Sequence, residues 1–135
     1  MDKSFSVAVA KLMTLDLSLD DFEDQFRHVF RFERTGVDFA LRFPQPIDEE
    51  ELPIQEVGPK EMRTVLNKCL RGEITAEALQ GWANFLILFP AYDFDGIVSS
   101  ILHLVATPEI HEELNDSTIR YYLSCLDSGK DPLSG

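Results

Sequence analysis

Phe5, Val9, Leu12 and Met13 recur at i, i+4, i+7 and i+8, the spacing of one helical face, and Ser4 stands where it can cap that helix. Phe5, Val7 and Val9 also alternate as a strand would, but the alternation breaks at Lys11-Leu12-Met13. Ser18 is placed to cap a second helix, with Asp21 three residues on in a box-like position, and Phe22, Phe26, Val29 and Phe30 follow on one face. Acids cluster in its first turn (Asp20, Asp21, Glu23, Asp24) and bases toward its end (Arg27, Arg31, Arg34), the order that complements a helix dipole. After Gly36 the period changes to two: Val37, Phe39, Leu41 and Phe43 alternate with Asp38, Ala40 and Arg42. This predicts a short extended segment or hairpin within 37–57, with residues 52–57 as its weak candidate partner. Pro44, Pro46 and Pro53 punctuate an acidic surface loop over 44–58.

The second half reads as helix throughout. Pro59 suits a first turn, Met62, Val65, Leu66, Cys69 and Leu70 form a stripe, and Gly72 fits a left-handed stop. Thr75 caps the next helix, whose Leu79, Trp82, Ala83 and Leu86 share a face until Pro90. A turn over 92–96 precedes a helix bearing Ile97, Val98, Ile101, Leu102 and Val105. Asp116 or Ser117 caps a last helix with Ile119, Tyr122, Leu123 and Leu126, ended by Gly129. The expected fold is mainly α: a single-domain bundle of five or six helices over residues 1–129, with a frayed tail at 130–135.

Composition narrows what such a bundle can do. The chain has 135 residues, 24 acids against 12 bases and a net charge of −12. That length suits one domain burying roughly 68–70% of its unfolded surface, and a hydrophobic fraction of 44% is that of a globular chain. The charge argues against nucleic acid as a partner, since phosphate binding needs the opposite sign. No apolar run approaches a membrane span, the longest being Phe85 to Phe89, and the first residues lack the basic start and apolar middle of a signal peptide. A cytoplasmic protein that does not bind membranes is the expectation.

Candidate chemistry is sparse. Cys69 and Cys125 sit in apolar periodic segments and read as buried thiols; either could meet His103 only through the fold. His28, His103 and His111 are not spaced as a ligand set, so no metal is expected. Asp93 and Asp95 before Gly96 lack the closing Glu of a calcium loop, and no glycine-rich phosphate loop or nucleophile elbow is present. No cofactor and no enzymatic activity are expected. The aromatics Phe22, Phe26, Phe30, Phe32, Phe39 and Phe43 read as core, with Phe32 off the helical stripe and a candidate for an exposed patch.

Charge patterning is the remaining signal. Residues 16–24 hold five acids and no base, and residues 44–57 hold five more, again with no base. Asp16, Asp20, Asp21, Glu23 and Asp24 in the first cluster, with Asp48, Glu49, Glu50 and Glu51 in the second, are the candidate contacts for a cationic protein. Fields of this kind raise association rates by about 10 to 10³-fold and are salt-sensitive.

From Leu70 the chain reads Leu-Arg-Gly-Glu-Ile-Thr-Ala-Glu-Ala-Leu-Gln-Gly-Trp-Ala-Asn-Phe-Leu, followed by Tyr-Asp-Phe-Asp at 92–95 and Leu-Val-Ala-Thr-Pro-Glu-Ile from Leu104. This resembles small bacterial proteins with a Gly-Glu-Ile-[Ser/Thr]-Ala-Glu helix start and a Trp-Ala-Asn segment. More loosely, it resembles the helical immunity proteins of colicin-type and contact-dependent inhibition systems. The resemblance covers Leu70 to Leu126 and implies a small inhibitor that binds a toxin domain; it carries no site residue to this chain. A second reading, independent of it, is a helical adaptor that homodimerises through aromatic surface.

Overall fold

A computed structural model describes residues 3–35, 38–43, 54–89, 92–94, 96–108 and 113–133. The described residues form six helices: α1 (Lys3–Leu12), α2 (Leu19–Gln25), α3 (Pro59–Leu70), α4 (Ala76–Leu88), α5 (Gly96–Ala106) and α6 (Asp116–Ser128). An antiparallel hairpin joins β1 (Arg31–Thr35) to β2 (Asp38–Arg42), and two short parallel strands pair β3 (Gln55–Glu56) with β4 (Tyr92–Asp93). The mainly α fold expected from periodicity is what forms. No helix among the described residues is long and apolar enough to cross a membrane.

The second helix is shorter than its apolar stripe suggested. It ends at Gln25, and Phe26 leaves helical geometry at φ −124°, ψ 31°. The amides of Val29 and Phe30 both donate to the Phe26 carbonyl at 2.9 and 3.1 Å, forming a turn that redirects the chain into β1. Phe32 therefore alternates inward between exposed Arg31 and Glu33. It stacks on Phe39 of β2 (5.4 Å, 24°) and meets the edge of Phe85 (5.4 Å, 82°). Phe32 is buried core, not an exposed patch. Arg31 and Arg34 belong to a strand and cannot serve the α2 dipole; only Arg27 stays close, pairing with Asp24 at 2.6 Å. The expected partner of the extended segment is corrected too: 38–42 pairs with 31–35, while 55–56 pairs with 92–93.

Helix α4 is the hub, packing on α5, α3, α2 and β2, while α6 lies against α3 and α5. Its Phe85 and the C-cap residue Phe89, stacked at 5.1 Å, anchor an aromatic cluster with Phe5, Phe22 and Phe30. Phe22 lies 5.2 Å from both Phe26 and Phe30. Aromatic pairs of this kind add about 0.5–1.5 kcal/mol each beyond the area they bury. They tie α2, the hairpin and α4 into one core. Of the aromatics between Phe22 and Phe43, only Phe39 and Phe43 stay half-buried; the others are core.

Helix ends follow local rules where the sequence carries them. Ser18 Oγ accepts from the Asp21 amide (3.2 Å) and Thr75 Oγ1 from the Ala78 amide (3.0 Å). Gly72 and Gly129 take positive φ after α3 and α6, where a side chain would be strained. Two caps differ from the expected ones. Ser4 lies inside α1, and α6 is capped by Asn115, whose Oδ1 accepts from the Thr118 amide at 2.9 Å, not by Asp116 or Ser117.

The C-terminal end of α1 is capped from a distance. Val9 and Leu12 in its last turn are buried, so their carbonyls need protein donors. Tyr92 Oη donates to the Val9 carbonyl at 2.7 Å, and Trp82 Nε1 donates to the Leu12 carbonyl at 2.8 Å. Lys68 Nζ donates to the Thr14 and Leu15 carbonyls at 2.9 and 3.2 Å. Leu15 sits at φ +56°, the left-handed conformation that turns the chain from α1 toward α2. In the same way Asn84 Nδ2 donates to the Ala106 carbonyl (2.9 Å) at the end of α5. The Trp-Ala-Asn segment thus closes two other helices.

Candidate functional site

The first acidic cluster sits where α1 hands over to α2, and its members have different surroundings. Asp16 accepts from the Thr14 hydroxyl at 2.9 Å and lies 3.3 Å from Lys68 Nζ. The Thr14 hydrogen bond, and after it Lys68, hold its carboxyl below the usual range. Asp24 is tied to Arg27. Glu23 is half-buried on the inner side of α2. Asp20 and Asp21 are exposed in the first turn of α2 and make no ion pair among the described residues. Asp48, Glu49, Glu50 and Glu51 lie outside the described residues, so the second cluster is not placed relative to the first.

The structure brings Asp20 opposite an acid that the sequence reading did not single out. An open groove of about 600 Å³ runs between the start of α2 and the start of α4. Leu15, Leu19, Ile74 and Phe39 supply its apolar lining, Ser18, Thr75 and Gln80 are its neutral polar groups, and Asp20 and Glu77 are its charges. Glu77, exposed in the first turn of α4, makes no ion pair among the described residues. The signal was present, since an acid two residues after a Thr cap is dipole-favoured. What the sequence could not supply is that α2 and α4 begin side by side.

Arg27, the base nearest Asp20 in sequence, pairs with Asp24. Lys68 is committed to the end of α1 and to Asp16, and Arg71 pairs with Glu73. Both cap hydroxyls already accept backbone amides. The groove's titratable groups are thus two carboxylates over hydrocarbon, an arrangement suited to attracting a cation.

Cys69, Cys125 and His103 do not line the groove. Burial, and after it the Asp116 carboxylate, push the Cys69 thiol up, which disfavours the nucleophilic thiolate. Cys125 is buried on α6. His103 Nδ1 lies 2.7 Å from the Ser99 carbonyl on its own helix, with the ring edge-on to Phe94. Among the described residues no three His, Cys, Asp or Glu side chains are grouped to hold a metal ion. His111 lies outside the described residues.

No family model, curated protein or solved structure matches this chain.

Proposed function

We propose that the chain is a non-enzymatic, protein-binding inhibitor of the immunity type, acting in the cytoplasm on a basic toxin domain such as a nuclease. The observation that carries this reading is the group of Asp20, Asp21 and Glu77. These are three exposed carboxylates at two adjacent helix starts, none with an ion-pair partner among the described residues. Asp16 and Asp24, close by, are each tied to a base of the same chain. Supporting it are the net charge of −12 and the resemblance over Leu70 to Leu126. Inhibition is stoichiometric occlusion: the carboxylates take up Lys and Arg that would otherwise hold substrate phosphate, so the partner cannot engage its substrate. Asp48, Glu49, Glu50 and Glu51 supply a second set of contacts in this scheme.

The test is capture of the partner from native lysate at low salt, then calorimetry of the purified pair across a salt series. A partner with a basic surface is expected, with affinity falling as salt rises. Asp20→Asn with Asp21→Asn, and separately the triple change of Glu49, Glu50 and Glu51 to Gln, should weaken binding and flatten the salt slope. A partner lacking basic surface, or affinity and slope unchanged in both variants, refutes the proposal.

A further inference from the structure

We infer that the groove between the first turns of α2 and α4 receives one arginine side chain, presented by a partner segment with an apolar residue beside it. This rests on the protein-binding reading above and names the anchor within that surface. The apolar lining comes from partly buried Leu15, Ile74 and Phe39, with buried Leu19 of α2 beneath them. An aliphatic stem laid along it removes hydrocarbon from water on both sides. The charged end then meets Asp20 and Glu77, one from each helix start. Each acid sits in the first turn of its helix, where the dipole favours negative charge. Arg27, the base nearest Asp20 in sequence, is paired with Asp24, and Arg71, nearest Glu77, with Glu73; Asp20 and Glu77 make no ion pair among the described residues.

The chemistry selects arginine over other occupants. An anion would meet two like charges, and the Asp21 and Ala78 amides at the two helix starts are already taken by Ser18 and Thr75. A guanidinium offers a planar fork of donors that can serve two acceptors at once, is more weakly hydrated than an ammonium, and stacks on aromatic faces such as Phe39. The groove is open and lacks the enclosure that holds free small molecules, so its occupant gains from being tethered to a larger contact.

The experiment is a ¹⁵N–¹H NMR titration of the full chain with the blocked pentapeptide acetyl-Gly-Leu-Arg-Leu-Gly-amide. Parallel arms use its norleucine counterpart and spermidine. Saturable shifts are expected at the amides of 15–20 and 74–80 with the arginine peptide. Asp20→Asn combined with Glu77→Gln should raise its Kd tenfold or more, while Glu113→Gln, away from the groove, changes it less than twofold. The norleucine peptide should give no saturable shift. Shifts spread over the whole acidic surface, an unchanged Kd in the double variant, or spermidine binding as tightly as the peptide would each overturn the inference. The two proposals separate in the partner assay. Binding that survives the groove variant but falls with Asp21→Asn overturns the groove alone. Binding indifferent to all the acids overturns both.

Discussion

The hydroxyl of Tyr92 is a cap for a helix lying 83 residues earlier in the chain, and removing it alone should measurably loosen the fold. The substitution Tyr92→Phe keeps the ring, its contact with Phe89 at 5.9 Å and its volume, and deletes only the donor to the Val9 carbonyl. Both partners are buried, so water cannot replace the lost bond freely, and the loss should cost about 1–2 kcal/mol. At about 2.1 cal/mol/K per residue, the unfolding entropy of a chain this size is about 0.28 kcal/mol/K, so the midpoint should fall by about 4–7 °C. Burial pushes the Tyr92 hydroxyl above the ordinary tyrosine range. A group whose folded-state pKa is raised contributes stability that is complete below the unfolded value near ~10 and is lost as pH rises through that region. The gap between wild type and variant should therefore be constant from neutral pH to about pH 9 and shrink above about pH 10. Calorimetric melts across that range measure both quantities. Tyr121→Phe, at a tyrosine that is 49% exposed, is the control and should shift stability by less than about 0.5 kcal/mol. A Tyr92→Phe midpoint indistinguishable from wild type, or a gap indifferent to alkaline pH, would show that the Val9 carbonyl does not depend on this hydroxyl.

Other substitutions probe the remaining claims. Phe32→Ala should cost about 3–5 kcal/mol by urea denaturation, because the ring is buried between Phe39 and Phe85; the surface position that a continued helix would give it predicts a loss near zero. Lys68→Met, which removes the donor to the Thr14 and Leu15 carbonyls, should lower stability by about 1–2 kcal/mol and speed amide exchange at the end of α1. Gly72→Ala should cost about 1 kcal/mol through backbone strain alone, since φ is +76° and an added Cβ would touch nothing. The lowered carboxyl of Asp16 contributes stability above its unfolded pKa that is lost as pH falls through the folded one; Asp16→Asn should flatten the acid limb below about pH 4 in denaturant titrations.

Local chemistry made much of this protein legible without coordinates. Thr75 and Ser18 cap because a short side-chain oxygen meets an amide three residues on. Gly72 and Gly129 stop helices because only glycine enters the left-handed region without strain. Each of these depends on a few consecutive residues, and so does the acidic start of α2. The end of α2 was not legible, because Phe22, Phe26 and Phe30 fit a helical stripe as well as they fit a helix, a turn and the entry to a strand. The choice was made by the ring stack of Phe32 on Phe39 and by the β1–β2 ladder, which involve residues the helical reading assigned elsewhere. The closure of α1 by Lys68, Trp82 and Tyr92 is equally a matter of tertiary structure, since each donor comes from a different element. The same holds for the groove. The sequence determined that Asp20 and Glu77 each open a helix, whereas only packing around the Phe85–Phe89 stack set those helix starts side by side, so that two separate carboxylates face one cavity.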